Sequence, residues 1–341
     1  LLMMFQMDPV FAVLAIAVMV GLYEILTRTR SAEDDLAEMF EGVMTQATRY
    51  LHIRLQRRRE RSGAEEWRPS VIMVNDRTFD RRAPLIFLRW LCHRYGFGTY
   101  LHYVQGHLDA ASYAESEQVA RRLLTMARRQ KSAVYMDTIV SPSMTSALAQ
   151  SLQVPGVSGL NNNAVLFEFS RNDPPEIAED VVRNCLFAAS TRMALLVLRH
   201  GDFHFGERQA LHIWLTWNDR ENANLMILLG YILLGHPDWQ DAEIRVFAAL
   251  PEEQIDERLS LFKRLMAEGR LPVSEKNVRF LSVNDVEAYR ALVAQHSTEA
   301  DLTIIGFDLE GLQERREAVF TNHPTLKDVL FVHASHEIHI E

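Results

Sequence analysis

The sequence predicts an α/β protein in which two doubly wound, mostly parallel-sheet lobes follow one transmembrane helix and an amphipathic connector helix. Three observations support this fold class. The chain begins with a long apolar segment, continues with a stretch of helical periodicity, and then alternates short β-branched runs with helical segments. Strands that alternate with helices of ten or more residues indicate βαβ crossovers. At 341 residues the chain is also long enough for more than one domain.

Composition excludes some classes of function. Lys plus Arg number 36 against 45 for Asp plus Glu, which gives a formal net charge of −9. An acidic chain is poorly suited to bind nucleic acid as its main task, so no nucleic-acid partner is expected. The two cysteines, Cys92 and Cys185, are far apart in apolar helical contexts. They predict neither a disulfide framework nor a thiolate metal site, as is typical of a reducing compartment.

Residues 1–27 are interpreted as the final transmembrane helix of a longer polypeptide. Only Asp8 is charged between Leu1 and Tyr23, and this run approaches the length needed to span the hydrocarbon core. Basic residues follow the apolar run instead of preceding it, unlike a signal peptide. The positive-inside rule then places residues after about 28 in the cytoplasm of a cell-membrane protein, with lipid around residues 1–27. A buried helix of a soluble protein is the alternative.

Residues 28–66 predict the amphipathic connector helix. Ser31 is suited to cap its N-terminus, and acidic residues follow in the first turn. A basic cluster at Arg57, Arg58, Arg59 and Arg61 either meets anionic lipid head groups or forms a solvated last turn. The apolar stripe consists of Leu36, Met39, Phe40, Val43, Met44, Ala47, Tyr50, Leu51 and Leu55.

Residues 67–207 form the first predicted lobe and residues 208–341 the second, with the boundary at the polar, glycine-containing stretch GDFHFGER (201–208). The predicted strands of the first lobe are 71–75, 99–105, 133–140, 164–169 and 194–199. Helices are predicted between them at 85–95, 114–130, 143–152 and 175–191. The second lobe has predicted strands at 210–217, 243–250, 277–283, 301–307 and 328–333, and predicted helices at 221–234, 252–268 and 285–296.

No motif in the chain supports catalysis or a bound cofactor. The glycine pairs Gly96/Gly98, Gly156/Gly159 and Gly306/Gly311 do not form a phosphate-binding loop between a strand and a helix. There is no nucleophile elbow and no convincing Ser/His/Asp set. We therefore predict no enzyme, no catalytic, cofactor-binding or metal residues, and no cofactor.

Three groups of histidines invite a site, but a solvated or structural role fits each of them better. His333, Glu337 and His339 would share one face of an extended C-terminal segment, with His336 on the other face. A chain terminus rarely supplies the fixed surroundings of a metal site. His200, Asp202 and His204 lie in the boundary loop, and His236 with Asp238 lies in another loop.

Four blocks of sequence resemble the cation-chloride cotransporter family. Trp67-Arg68-Pro69 is similar to the family's entry into its first strand, and SMTSALAQSLQVPGVSGLNNNAVLFEF to its helix, glycine turn, asparagine and strand. The stretch from Ile213-Trp214 to Phe247 resembles its Trp-rich strand, helix and IRVF turn, and ADLTIIGF its strand near the end. The residues 218–222, Asn-Asp-Arg-Glu-Asn, depart from the eukaryotic pattern, and long regulatory insertions are absent, so the resemblance is to a prokaryotic relative.

The resemblance implies a regulatory, trafficking and dimerisation role in the cytoplasm for a symporter of chloride with sodium and/or potassium. The implied partners are a second copy of the chain and the transmembrane domain of the same polypeptide. Two alternatives stay open. One is a membrane-anchored tandem nucleotide sensor resembling universal stress proteins, and the other is the C-terminal domain of an amino-acid permease.

Overall fold

The chain divides into two compact units, residues 1–63 and residues 64–341. The structure is a computed structural model that describes residues 9–29, 35–59, 67–94, 96–129, 132–157, 161–202, 204–219, 221–251, 260, 264 and 275–338. Several predicted features lie outside these residues. They are the Ser31 cap, the basic side chains of residues 57–61, His339, and the helix 252–268 apart from the helical Ser260 and Arg264.

The first unit contains two helices, α1 (Pro9–Thr29) and α2 (Asp35–Arg59). They correspond to the apolar segment and the connector that the sequence predicts. Val43, Met44, Tyr50 and Leu51 of the predicted stripe are more than half exposed, whereas Phe40 is half-buried.

The sequence further predicts that residues 1–27 cross a membrane. Among the residues that the structure describes, no helix combines the length and the apolar character that a crossing needs.

The second unit is built on ten strands, and the structure confirms a mostly parallel α/β fold. The strands are β1 (Ser70–Asn75), β2 (Phe97–Gln105), β3 (Tyr135–Ser141), β4 (Ala164–Ser170), β5 (Ala194–His200), β6 (Ala210–Thr216), β7 (Glu243–Pro251), β8 (Val278–Val283), β9 (Leu302–Gly306) and β10 (Asp328–His333). Each coincides with a predicted run to within about two residues, because β-branched and aromatic residues bounded by turn formers mark a buried strand.

Eight helices of the described second unit connect these strands. They are α3 (Ala83–Leu91), α4 (Ala110–Arg129), α5 (Met144–Leu152), α6 (Pro175–Ala189), α7 (Asn222–Leu234), α8 (Val286–Ser297), α9 (Leu309–Arg315) and α10 (Ala318–Thr321). The sequence did not predict α9 and α10, which are too short to show a helical period. Ser143 caps α5, Asp285 caps α8 and Asp308 caps α9, each by accepting a backbone N–H with its side chain.

All ten strands belong to one sheet, in the order β3-β2-β1-β4-β5-β10-β9-β6-β7-β8. The first five strands run parallel to one another, and so do the last five. If the strands of each half are numbered from one to five along the chain, both halves have the order 3-2-1-4-5, with the fifth strand at the junction. The sheet is therefore two doubly wound halves joined edge to edge.

The junction is the antiparallel pairing of β5 with β10, in register from Val329 opposite Arg199 to His333 opposite Leu195. The two strands are almost completely buried. Each would be an open edge if its half stood alone, and pairing satisfies both rows of backbone groups. The sequence predicts separate lobes on either side of residue 207, whereas the structure runs a single sheet through both.

Both faces of the sheet carry a core that includes residues of the two halves. On one face Trp90 of α3 meets Trp239, with ring centroids 5.4 Å apart and perpendicular planes. On the other face Phe320 of α10 meets Phe169 of β4 at 6.4 Å. Cys92 and Cys185 lie in these cores as free, buried thiols.

The boundary loop 201–209 is packed into the protein and does not resemble a flexible linker. Its Phe205 is 1% exposed and stacks 5.9 Å from Phe87. His204, Phe205, Gly206 and Arg208 all have positive φ angles, a conformation that costs energy for residues other than glycine. Buried carboxylates compensate, since Asp328 accepts the N–H groups of Gly201 and Phe205, each at 2.7 Å.

Gly206 is the position where this loop tolerates no side chain. A Cβ there would lie 2.1 Å from Oδ1 of Asp301, and the φ angle is +48°. We expect Gly206→Ala to lower the free energy of unfolding by roughly 2–4 kcal/mol, because overpacking and left-handed strain add. Urea denaturation of the full chain measures the change.

Gly106→Ala is the matched control, because its Cβ would meet only Ser112 Cβ, at 3.8 Å. Equal unfolding free energies for the two variants would show that Asp301 moves aside without cost.

Candidate functional site

The strand order creates two crevices of the kind in which α/β proteins bind ligands. In an open parallel sheet, such a crevice forms at the carboxyl ends of the strands where the strand order reverses. In the first half the reversal lies between β1 and β4, and in the second half between β6 and β9. We name them cleft 1, which contains Asn75, Arg81 and Glu168, and cleft 2, which contains Asp219, Asn222 and Asp308. Their volumes are about 340 and 480 Å³.

Cleft 1 holds a network of buried charges contributed by three strand ends. Glu168 lies near the end of β4, and its Oε2 accepts from Nε2 of His200, the last residue of β5, at 2.8 Å. Its Oε1 accepts from Nδ2 of Asn75, the last residue of β1, at 2.7 Å. Arg81 donates to the same carboxylate at 3.3 Å. One carboxylate therefore ties β1, β4 and β5 together.

Asp173 extends the network to the start of α6. It accepts from both terminal nitrogens of Arg81, one of them at 2.7 Å, and from the backbone N–H of Ser170 at 2.8 Å. Arg77 lies 3.4 Å from the same carboxylate. Paired, two-pronged contacts of this kind fix geometry as well as charge, so the loop after β1 is held against the loop after β4.

The network keeps its two carboxylates ionised. Burial acts to raise the pKa of Glu168, but the hydrogen bond and charge of His200, with Arg81 and Asn75, outweigh it and lower the pKa. Burial likewise opposes ionisation of Asp173, yet Arg81, the Ser170 N–H and Arg77 lower its pKa. In turn, the pKa of Arg81 is raised, because Asp173 and Glu168 outweigh its own burial. The charges in this network compensate one another.

Two helix starts belong to this end of the sheet. Residues 142–145, at the start of α5, line cleft 1, and the side chain of Ser143 there accepts the N–H of Ser146. At the start of α6, Pro174 is the N-cap and Pro175 the first helical residue, and proline has no N–H to donate to a phosphate. The loop after β1 supplies arginines, but both are committed to carboxylates. The arrangement holds strand ends in place and presents no nucleophile with an adjacent base.

Cleft 2 is organised around the buried Asp219, directly after β6. Its Oδ2 accepts from the N–H and the hydroxyl of Thr216, at 2.8 and 2.6 Å. Asn222 donates to its Oδ1 at 3.1 Å and to the carbonyl of Phe307 at the same distance. Burial raises the pKa of Asp219 despite these donors.

Asp219 requires a glycine at the end of β9. A Cβ on Gly306 would lie 1.6 Å from Oδ1 and 2.5 Å from Cγ of Asp219. The glycine in ADLTIIGF therefore makes room for a carboxylate 87 positions earlier in the chain. This explains Gly306 by packing, without any phosphate.

The histidine groups that the sequence singled out are dispersed. His200 enters cleft 1, while Asp202 accepts from Asn172 at 3.1 Å. His236 caps a short 3-10 helix, accepting from the N–H of Asp238 at 3.0 Å. His333 faces the carbonyl of Phe307 at 3.3 Å. Among the described residues, no three His, Cys, Asp or Glu side chains are grouped to hold a metal ion.

Sequence reasoning missed Arg77, Arg81, Glu168 and Asp173, which form most of the network. One signal was available. Polar residues follow the strands at 75–77, 170–173 and 200, and the carboxyl ends of neighbouring parallel strands meet at one edge of a sheet. A single Glu168 within the apolar run AVLFEF is a second signal, since a buried charge needs a partner.

Comparison with known proteins finds similarity in the fold. No protein-family model matches the chain. The cytoplasmic domain of a prokaryotic cation chloride cotransporter has a similar structure, with a TM-score of 0.51 and 14% identity, over 79% of this chain and 96% of that chain. A universal stress protein from Archaeoglobus fulgidus DSM 4304 matches with a TM-score of 0.48 and 8% identity, over 78% of this chain and 97% of that one. At such identities the similarity concerns the fold.

The network predicts how stability depends on pH. The folded pKa of Glu168 is lowered, so its contribution is present above the unfolded pKa of about 4.3 and is lost as pH falls below it. We expect Glu168→Gln to lower the unfolding free energy by about 2–4 kcal/mol at pH 7, because it leaves buried partners unpaired. The difference from wild type should shrink steadily toward pH 3 in urea denaturation.

Glu243→Gln is the control, because Glu243 forms an exposed ion pair with Arg245 at 2.6 Å, and such pairs contribute little. A difference between wild type and Glu168→Gln that stays constant with pH would contradict the assignment.

Proposed function

We propose that this chain is the cytoplasmic regulatory and dimerisation domain of a secondary active symporter that couples chloride to sodium and/or potassium. In this proposal it performs no catalysis by itself. The observation that carries it is the similarity in fold to the cytoplasmic domain of a prokaryotic cation chloride cotransporter, which extends over 96% of that domain. The same proposal places the protein at a cell membrane, with residues after about 28 in the cytoplasm. Its proposed partners are a second copy of the chain and the transmembrane domain of the same polypeptide.

The sequence blocks that resemble the family support the proposal, because they contact one another in the structure. The carbonyl of Arg68, in Trp67-Arg68-Pro69, accepts from Nδ2 of Asn163, in the NNN block, at 2.7 Å. The Oδ1 of Asn163 accepts from the N–H of Ser70 at 2.9 Å. The two blocks thus fix the first strand beside β4.

The Trp-rich block is also a packing unit. Trp214 stacks on Phe247 of the IRVF segment, which lies in β7, at 4.5 Å between centroids, and the Nε1 of Trp214 donates to Ser297 at 2.8 Å. These blocks therefore specify a fold, which suits a domain that acts by shape and contact.

The proposed mechanism is mechanical coupling. The connector α2 (Asp35–Arg59) is a continuous helix of 25 residues, about 37 Å long at 1.5 Å per residue. A helix of this length can transmit a displacement of the α/β unit to a transport core if the assembly has two packed arrangements. The exposed apolar side chains of α2 need a partner surface, and a second copy is the partner we propose.

A nucleotide sensor is the alternative from another class. A doubly wound sheet is compatible with nucleotide binding, but Arg77 and Arg81 of cleft 1 are paired with carboxylates. An amino-acid permease would differ from the main proposal only in the transported substrate. Both alternatives give different outcomes in the transport experiment below.

Chloride flux tests the proposal. We expect vesicles that contain the full polypeptide to take up isotopic chloride only when sodium or potassium is present. Deletion of residues 67–341 should reduce this uptake or abolish its regulation, because the deletion removes the α/β unit. Absence of chloride uptake under every cation condition, with amino-acid uptake or nucleotide binding instead, would overturn the assignment.

The connector gives a more local prediction. Met44→Pro removes a backbone hydrogen bond in the middle of α2 and should kink or break the helix. We expect altered transport or altered regulation, while the thermal unfolding of the α/β unit is unchanged. Met44→Ala keeps the helix and serves as the control. Equal flux in the two variants would rule out transmission through this helix.

A further inference from the structure

A groove rich in arginine lies on the surface of the first half of the sheet and shares no lining residue with either cleft. It has a volume of about 620 Å³ and lies between α4 and the segment that precedes α3. Its principal lining residues are Phe79, Arg82, Gln118, Arg121, Arg122 and Arg129. We call it the arginine groove. Among the described residues that line the groove there is no Asp or Glu, although acidic residues outnumber basic ones in the chain as a whole.

The four arginines of the groove are exposed. Among the described residues, none of them has a carboxylate within ion-pair distance, whereas Arg81, one position before Arg82, is paired twice. Like charges placed together without partners repel one another. A bound anion would relieve this repulsion, and the exposed groove leaves room for one.

Arg129 has another explanation, because it lies in the last turn of α4 and complements the helix dipole. Arg121 and Arg122 lie two turns earlier, where the dipole has little effect. Arg82 is placed against the dipole. It is the N-cap of α3, a helix of nine residues with no side-chain cap and no acidic residue in its first turn. A cation at this position adds to the positive end of the helix.

Part of the groove is pre-organised. The guanidinium of Arg122 stacks over the ring of Phe79, 4.1 Å from its centroid. Phe79 in turn lies against His102, with centroids 5.4 Å apart, and the Nδ1 of His102 is 2.6 Å from Oγ1 of Thr78. A stacked guanidinium keeps its N–H edge free for a ligand.

We propose that the arginine groove binds a small ligand that carries two or more phosphate groups. Arginine matches phosphate with paired N–H donors, and each phosphate monoester brings up to two negative charges. Arg122 and Arg129 are seven residues apart on α4, or about 10 Å along the helix. Two phosphates within that span can neutralise four arginines, whereas a peptide would need four carboxylates in the same length.

The same chemistry occurs in soluble inositol phosphates and in phosphoinositide head groups, so the test has two arms. In the first, calorimetry measures binding of inositol 1,4,5-trisphosphate to the full chain. In the second, co-sedimentation measures binding to phosphatidylcholine vesicles with and without phosphatidylinositol 4,5-bisphosphate. Vesicles with phosphatidylserine at equal total charge test whether surface charge alone is sufficient.

The decisive variant is Arg121→Gln combined with Arg122→Gln. Both side chains are exposed, so the fold should persist, and thermal unfolding checks this. We expect affinity for the trisphosphate, or for the phosphoinositide vesicles, to fall at least about tenfold, because two charge-assisted phosphate contacts are lost. Arg82→Gln alone should weaken binding by a smaller factor.

The matched control is Arg192→Gln combined with Arg279→Gln, which removes the same charge from exposed positions outside the groove. Loss of binding in the groove variant, with binding retained in the control variant, supports the proposal. Binding to the soluble ligand identifies a soluble phosphate, and binding only to phosphoinositide vesicles identifies a lipid. Three results would overturn the proposal. They are an equal loss of binding in both variants, binding to phosphatidylserine vesicles or polyglutamate as strong as to the phosphorylated ligands, and no binding in either arm.

Discussion

The antiparallel pairing of β5 with β10 is the constraint on which the rest of the α/β unit depends. Each half of the sheet is doubly wound and would, on its own, end in an open edge at a strand that is almost fully buried in the joined sheet. Joining the two edges satisfies the backbone groups of both strands and forces the halves to run in opposite directions. Buried polar groups secure the junction. Arg199 of β5 donates to the carbonyls of Phe320 and His323 in the second half, at 3.0 and 2.6 Å.

This antiparallel junction determines where the two clefts lie. Within one half all strands run parallel, so their carboxyl ends share one edge of the sheet. Because the other half runs in the opposite direction, its carboxyl ends lie at the opposite edge. Clefts 1 and 2 therefore cannot combine into a single site. The two clefts also differ in their charges, since the carboxylates of cleft 1 pair with Arg81 and His200, whereas burial raises the pKa of Asp219 in cleft 2.

The strands could be predicted from sequence because each is a short apolar run between turn-forming residues. The helices α9 and α10 could not, since seven and four residues are too few to show a period. Local sequence patterns also could not predict that one sheet runs continuously through both halves. Apolar runs such as DVLFVH show that a strand is buried but not which strand lies beside it. The same reason explains the boundary loop, because its glycine and polar residues suggest a linker, whereas Phe205 and two distant aspartates fix it in place.

The candidate sites differ in how they could be found. The side-chain partners of Glu168 and Asp173 lie 32 to 96 positions away in the chain, and no spacing rule joins such residues before the strand order is known. Arg121, Arg122 and Arg129 share one helix, yet on the sequence they read as a solvated basic face. Only the structure adds Arg82 and Phe79 from another element. It also shows that, in the part of the chain it describes, no carboxylate forms an ion pair with the four arginines. Buried charges that pair with one another stabilise the fold. Exposed charges that have no partner among the described residues are positions where a ligand of opposite charge can bind. On that distinction the clefts hold the sheet together, and the arginine groove is the part of this unit suited to recognise another molecule.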